Sequence, residues 1–385
     1  MLGKTSMNSV LVACALLLLS GVFGGQVFAQ QKPPFDALEG LDPVMLTQGK
    51  EVQGEMNITV TRGQFRYFFA NAANKAVFEQ DPARYEIQLN GACARMGPPV
   101  YGIPDLYTVH QGRIFIFGSG ECKKRFDAAP ENYLEDKGEA KPKIALTPEA
   151  LKKGQSLIEK AVAAAGGAAR IDGVTSYQEK STALQTRRQG DVEIKSDLTV
   201  LFPDRIRLDL TMPDFTNPSA TRKMALVITP SEAFGVAPNG VQPVREAVRI
   251  EQEKEIRRRP LSILRARKGA NFKPVAIGGG KAGATAVEQV VVELDETAYT
   301  LGIDPATGRI LSLSYQRRGP EGTVGQLVQE FSDFRAVDGS TLPFKITASF
   351  NGQPWKEQSS TIEAITINGK VDQALFERPQ TNKPH

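Results

Sequence analysis

The chain has 385 residues, 41% hydrophobic and 23% charged, with 47 Lys and Arg against 43 Asp and Glu. That length exceeds one small core and predicts two or three domains. A formal net charge of +4 is too small to argue for nucleic acid, which needs a clustered basic face, so no nucleic-acid partner is expected.

The first thirty residues stand apart. Lys4 precedes "VLVACALLLLSGVFGG" (Val10–Gly25), which is uncharged and largely apolar, and "VFA" (Val27–Ala29) places small residues before Gln30. This order predicts a signal peptide over residues 1–29, cut after Ala29. The expectation is a periplasmic or otherwise exported protein with no transmembrane span after cleavage. "LVAC" (Leu11–Cys14) also has the form of a lipobox, which would make Cys14 a lipidated first residue. The strongest apolar run, Leu16–Leu19, follows that Cys instead of preceding it, so cleavage after Ala29 is the preferred reading.

Residues 38–135 then say nearly the same thing twice. "RGQFRYFFANAANKAVFEQDPARY" (Arg62–Tyr85) is followed by "QGRIFIFGSGECKKRFDAAPENY" (Gln111–Tyr133). Gly63 opens the strand Phe65–Phe68 and Gly112 opens Ile114–Phe117, with one single-residue gap in the alignment. Asn71 and Ser119 are placed to cap the helices that carry Phe78 and Phe126. Pro82 and Tyr85, then Pro130 and Tyr133, repeat at the same spacing. Two related units, 38–96 and 97–135, are expected to share one small core, because neither could bury enough apolar surface alone. Cys122 and Phe126 lie four apart on one helical face, so this Cys points with a core Phe. After signal cleavage only Cys93 and Cys122 remain, and in an oxidising compartment such a pair predicts a disulfide or two buried thiols. The alternative is a soft-metal site of Cys93, Cys122, Met96 and His110, with no Cys-x-x-Cys spacing to suggest closed zinc.

"LEDKGEAKPKIALTP" is charged and aperiodic, and predicts a linker over 136–146. From residue 147 the chain changes character. Thr147 can cap a helix that starts at Pro148, carries Leu151, Leu157, Ile158, Ala161 and Val162 as one stripe, and stops at Gly166-Gly167. Then the period becomes two. Ile206, Leu208, Leu210 and Met212 share a face, as do Val290, Val292 and Leu294, then Leu311, Leu313 and Tyr315, then Phe344, Ile346, Ala348 and Phe350. The turns "DPATG", "VDG" and "NG" separate such runs, so the domain at 147–380 is expected to be one antiparallel sheet of roughly eight to eleven strands. A sheet that wide curls and needs its concave face covered. The helix over Val244–Arg267, broken at Pro260, is the candidate cover. Its basic run "EIRRRPLSILRARK" reads as a solvated face balanced by Glu251, Glu253 and Glu255, with anionic lipid headgroups as the alternative. "IGGGKAGAT" (Ile277–Thr285) lacks the Gly-Lys-Ser/Thr of a phosphate loop and predicts a hairpin.

Two resemblances follow from these phrases. "LDPVMLTQGKEVQGEMNITVTRGQFRYFFANAANKAVFEQDPARY…LNGACA" resembles the YHS domain, with Gly112–Tyr133 as a weaker second copy. That resemblance implies a module found in exported and metal-handling proteins. "LIEKAVAAAGGAARIDGVTSYQEKSTA", "VLFPDRIRLDL", "FSDFRAVDGSTLPFKITASFNGQ" and "ITINGKVDQALFERP" resemble the LolA-like, lipoprotein-carrier-like β-domain. That resemblance implies a half-open barrel, closed by helices, whose apolar hollow takes a lipid or a lipoprotein acyl chain.

The expected fold class is therefore α+β: a small strand–helix repeat domain, then a curled antiparallel half-barrel covered by helices. Only two His are present, His110 and His385, so His-based triads and zinc-peptidase motifs are excluded. No catalytic residue and no cofactor is expected. The functional expectation is an exported, non-enzymatic binding protein. Its hollow is expected to be lined by Ile206, Leu208, Leu210, Met212, Leu261, Leu264, Val290, Val292, Leu311, Leu313, Phe344 and Ile346, with an envelope protein as a further partner. A metal-binding envelope module and a purely structural or interaction protein are the alternatives.

Overall fold

The computed structural model describes residues 34–134, 145–187, 190–214, 220–294 and 297–379. The expected signal peptide, with Cys14, residue 135 and residues 136–144 of the expected linker lie outside the described residues. The N-terminal part contains β1 (Phe35–Asp36), α1 (Pro43–Thr47), β2 (Glu55–Arg62), β3 (Phe65–Phe69), α2 (Ala72–Gln80), α3 (Pro82–Tyr85), β4 (Ala92–Cys93), β5 (Gly97–Tyr101), β6 (Ile103–His110), β7 (Arg113–Phe117) and α4 (Gly120–Ala128).

The internal repetition extends to individual hydrogen bonds. Asn71 caps α2 through Asn74 N–H at 2.9 Å, and Ser119 caps α4 through Cys122 N–H at 3.2 Å. Antiparallel β2–β3 skips residues after Glu55↔Phe69 and resumes at Thr59↔Phe68. Pair β6–β7 does the same between Ile103↔Phe117 and Tyr107↔Ile116. A parallel neighbour flanks each hairpin, Asp36↔Arg66 in one and Ile87↔Ile114 in the other. The turn Leu38–Gly40 has positive φ at all three residues, and so does Leu89–Gly91. The copies therefore divide at Glu86, not after Met96, because the segment Ile87–Cys93 repeats Asp36–Asp42. No gap is needed in the hairpins: Arg62↔Phe65 closes one and His110↔Arg113 the other. Gly63 thus matches Gln111, both with positive φ. Phe78 and Phe126 are fully buried, and one core joins Phe35, Phe65 and Phe69 to Ile87, Ile114 and Ile116 of the other copy.

The second part contains α5 (Pro148–Ala164), α6 (Ala168–Asp172), β8 (Ser176–Arg187), β9 (Gly190–Leu201), β10 (Arg205–Pro213), β11 (Thr221–Ile228), β12 (Ala233–Ala237), β13 (Gly240–Pro243), α7 (Glu246–Arg257) and α8 (Pro260–Ala266). It continues with β14 (Val275–Ala282), β15 (Thr285–Leu294), β16 (Thr297–Ile303), β17 (Ile310–Arg318), β18 (Val324–Val337), β19 (Ser340–Phe350), β20 (Gln353–Pro354) and β21 (Ser360–Ile367). The α+β class with a curved antiparallel sheet that does not close into a barrel is the one observed. The sheet has 14 strands, more than expected. The extra ones are short, such as β12, β13 and β20, where no alternation has room to show.

Strand order is β13-β12-β11-β10-β9-β8-β21-β19-β18-β17-β16-β15-β14, with β20 paired to β19. Almost every pairing is a hairpin between chain neighbours. The exception is the C-terminal strand β21, which joins the halves by lying between β8 and β19. The edges are β13 and β14, and the chain between them is α7–α8. Having left one edge, it packs Leu261, Ile263 and Leu264 into the main core before it begins the other. Helix α5 covers the same core with Leu157, Ile158, Ala161 and Val162. Gly154 lets it lie against the sheet, since a Cβ there would sit 2.3 Å from the Pro274 carbonyl oxygen.

The two parts meet at a seam. Helix α7 packs against β5 and the Leu89–Gly91 turn. Arg245, at its start, lies 4.8 Å from the Phe35 ring and 4.1 Å from the Tyr101 ring, a cation–π contact. Arg318 donates to the Arg95 carbonyl at 3.2 Å. Gly322, with φ of 82°, leaves room for that carbonyl, which a Cβ would approach to 2.0 Å.

Asp42 ties the first copy together. It is fully buried and accepts from Val44 N (2.9 Å), Met45 N (3.2 Å), Ala70 N (2.8 Å) and the Asn74 amide (2.7 Å). Asp42→Ala orphans these donors and should lower stability by about 1–3 kcal/mol or more, read as a shift of the urea midpoint.

Candidate functional site

The hollow of the curved sheet is the first candidate. Ile206, Leu261, Leu264, Val290, Val292 and Leu313 are buried together in the main core, with Leu208 and Ile346 packed against it. Leu210 and Met212 share the β10 face but lie further along the strand, in a separate cluster with Ile194 and Met224. Phe344 is buried beneath the Arg335 guanidinium, 4.4 Å from its ring centroid. Leu311 is half-buried and outside the core. The space that remains between α5 and α8 is a cavity of about 30 Å³, lined by residues including Ala161, Ala165, Leu261, Leu264, Phe334 and Leu342. Ligand pockets usually measure about 300–1,000 Å³. The protein's own helix α8 packs into the hollow.

What holds that helix is charge. Arg258 and Arg259 occupy the bend between α7 and α8, and Pro260 opens α8. The Arg259 guanidinium pairs with both oxygens of Glu179 on β8, and the Tyr177 hydroxyl donates to the same carboxylate at 2.6 Å. Arg258 binds Glu251 at 2.7 Å and Glu255 at 2.9 Å, and Arg317 on β17 reaches Glu255 at 3.1 Å. The Arg258 guanidinium lies 4.8 Å from the Tyr315 ring. Burial pushes the Glu179 carboxyl up, but Arg259, Tyr177 and Ser181 outweigh it and hold it below its ordinary value. Burial acts the same way on Glu255, and Arg317, Arg258 and Arg259 overcome it. Burial raises the Tyr315 hydroxyl to about 12. That hydroxyl, Arg258 Nε and Arg317 Nε find no hydrogen-bond partner among the described residues.

These residues were absent from the expected lining, which held apolar side chains alone. The signal was nevertheless in the period of two. Tyr177, Glu179 and Ser181 alternate along β8, and Arg317 continues the inward row of Leu313 and Tyr315. A charge at an inward strand position marks a paired site, because an unpaired one is too costly.

The basic run is not a free cationic face. Arg257 reaches Glu253 at 3.5 Å, and Arg265 donates to the carbonyls of Ile171 and Val174. Arg267 binds Asp172 through both oxygens at 2.7 and 2.9 Å, and Lys268 joins at 2.6 Å. Hydrogen bonds from Arg267 and Lys268 lower the Asp172 carboxyl to about 2. Residues Ile277–Thr285 belong to the β14–β15 hairpin.

The second candidate is the thiol pair. The expected disulfide is not formed: Cys93 and Cys122 are free thiols buried in one cluster with Phe115, Phe117 and Phe126. Cys122 sits in the first turn of α4, and Arg95 Nη1 lies 4.0 Å from its sulfur and 3.1 Å from the Met96 sulfur. Hydrogen bonds from Cys93, Ser119 and Arg95 outweigh burial and hold the Cys122 thiol well below its ordinary value. The bond to Cys122, then burial, pushes Cys93 up. The alternative metal set is not assembled. His110 packs edge-on against Phe126, with ring centroids 6.1 Å apart, and the Arg95 cation lies against the Met96 and Cys122 sulfurs. Among the described residues no group of three or more His, Cys, Asp and Glu could hold a metal ion.

No family model matches the chain, and no curated protein matches it. Solved structures do. A domain from Vibrio parahaemolyticus described as an outer membrane lipoprotein-sorting protein is 9% identical, with a TM-score of 0.37, covering 59% of this chain and 97% of its own. A LolA superfamily protein from Nitrosomonas europaea is 12% identical at TM-score 0.39, covering 58% and 97%. A DUF1329 family protein from Desulfovibrio piger is 11% identical at TM-score 0.36, covering 58% and 97%. At such identities and scores the likeness assigns neither a ligand nor an activity.

Two expectations follow from the charges. Arg259→Met leaves Glu179 buried and unpaired, and should cost about 3–5 kcal/mol at pH 7. The penalty of the unpaired charge should fade below about pH 4.3, where the variant's carboxyl is protonated in both folded and unfolded states, and the rest of the deficit should close as pH falls further, through the depressed folded value of the paired carboxyl. In the unaltered protein the sign is opposite. Glu179 and Glu255 are depressed on folding, so their stabilisation is complete above about pH 4.3 and lost as pH falls through their folded values. Binding of an apolar dye should therefore rise in acid, while far-ultraviolet circular dichroism still reports an intact sheet.

Proposed function

We propose that this protein is an exported, non-enzymatic binding protein whose curved sheet takes up an apolar ligand, a lipid or acyl chain, when α8 leaves the hollow. The observation that carries this reading is the nature of the cover. The sheet is open, and its concave face is filled by a short helix held through buried ion pairs. Replacing such pairs with apolar contacts would often be neutral or stabilising, so their presence suits a cover that must come out. Leu261, Ile263 and Leu264 occupy the positions an acyl chain would take. The N-terminal repeat, which resembles a YHS module, rests on α7 and is the part from which a partner protein would act on the cover.

A purely structural or interaction role is the second reading, favoured by the small volume left unfilled, about 30 Å³. A fluorescent fatty-acid titration of delipidated protein at pH 7 separates the two. The carrier reading expects saturable binding with displacement by unlabelled fatty acid, and about tenfold tighter binding for Leu264→Ala, which weakens the cover's hold on the core. No binding by either protein, together with no lipid in an organic extract of the freshly purified chain, would leave the structural reading standing.

A further inference from the structure

The duplication shows what the niche around the cysteines is built to hold. Cys93 stands where the first copy has Asp42, and Cys122 where it has Asn74. The first copy's niche surrounds a carboxylate with N–H groups from Met45, Ala70 and the Asn74 amide. In the second copy Gly118 lies against Cys93, whose Cβ would be 3.8 Å from a Cβ placed there, and the N–H groups of Met96 and Gly118, which hold the corresponding positions, favour its thiolate. It then adds what the first lacks: a second sulfur, at the N-terminal turn of a nine-residue helix, with an arginine beside it. Positions that donate to a carboxylate in one copy surround two sulfurs in the other. Helix N-termini and neighbouring cations stabilise thiolates in the same way. A disulfide that only braced the fold would gain nothing from such a setting, because the setting favours the reduced form. A couple whose reduced form is stabilised is an oxidising, labile one.

We propose that Cys93 and Cys122 form a reversible thiol–disulfide exchange site, with Cys122 as the attacking sulfur and Cys93 as the resolving one, and a low-molecular-weight disulfide of the glutathione class as co-reactant. Burial sets the order, since Cys122 is the less buried of the two, at 8% against 0% for Cys93. The Cys122 thiolate attacks one sulfur of the disulfide, forming a mixed disulfide and releasing one thiolate. Cys93 then attacks the Cys122 sulfur and loses its proton to the released thiolate. The second thiolate leaves, and the protein holds a Cys93–Cys122 bond. Two electrons have passed from the protein thiols to the small disulfide, which departs as one thiol and one thiolate. The Arg95 carbonyl is clamped by Arg318 across the seam, so the loop that carries the cation is held by the β-domain.

The test uses the full chain carrying Cys14→Ser, reduced and freed of reductant, then equilibrated with glutathione mixtures of set ratio and read by intact mass. The expected result is a loss of two hydrogens that grows with the oxidised fraction and reverses in excess reduced glutathione. In Cys93→Ser, Cys122 should stop at the mixed disulfide. Iodoacetamide labelling of Cys122 in that variant should stay fast at pH 6, where an ordinary thiol has slowed on the order of a hundredfold. Arg95→Gln should slow it several-fold at pH 6, with recovery in Arg95→Lys. An unchanged mass would overturn the proposal. So would a mixed disulfide that persists in the unaltered chain, or a bond that excess reduced glutathione does not reopen. Labelling that falls off like an ordinary thiol overturns it as well, and needs no Arg95 variant to be seen.

Discussion

The structure depends on one topological constraint. A curled antiparallel sheet that does not close has two edges and a concave face, and here one short stretch of chain serves all three. Leaving edge β13, the chain must reach edge β14, and it fills the hollow on the way. The apolar side chains of α8 supply the burial. Arg258, Arg259 and Arg317, with Glu179, Glu251 and Glu255, decide how the stretch is held. Each of these charges is tolerable inside only because its partner is there, so the packed cover has one register.

The N-terminal repeat takes its meaning from that cover. It rests on α7 through Arg245, between the Phe35 and Tyr101 rings, and on the β17–β18 turn through Arg95 and Gly322. The seam therefore touches the element that would have to move for the hollow to open. The cysteine niche is close by in the chain, since Arg95, whose carbonyl meets Arg318, is two residues after Cys93. The cover of the hollow and the cysteine niche are neighbouring parts of one interface.

Much of this was legible because periodicity and turn chemistry are local. The period of two along β10, β15, β17 and β19, and the positive-φ turns at Asp338-Gly339 and Asn351-Gly352, announce an antiparallel sheet. Thr147 before Pro148 and the Gly166-Gly167 stop place α5. The aromatic phrases show the duplication, but they obscured its boundary. Turns such as Leu38–Gly40 and Leu89–Gly91 are alike in backbone angle more than in sequence, so the match of Asp42 with Cys93 was hidden. The apolar lining was read along single strands, and a long strand passes through more than one cluster. Leu210 and Met212 therefore left the hollow although they share a face with Ile206.

The sequence by itself determined the class of fold, the caps and turns, the kinked helix at Pro260 and the pairing of a buried thiol with a core Phe. These rest on residues close together in the chain, where dihedral preference and side-chain period act directly. Only the tertiary structure decided that α8 fills the hollow, that Arg259 meets Glu179 and Arg317 meets Glu255, and that the two cysteines share one charged niche as thiols. Those outcomes depend on contacts between residues far apart in sequence, where desolvation and charge pairing choose among arrangements that local pattern leaves equal.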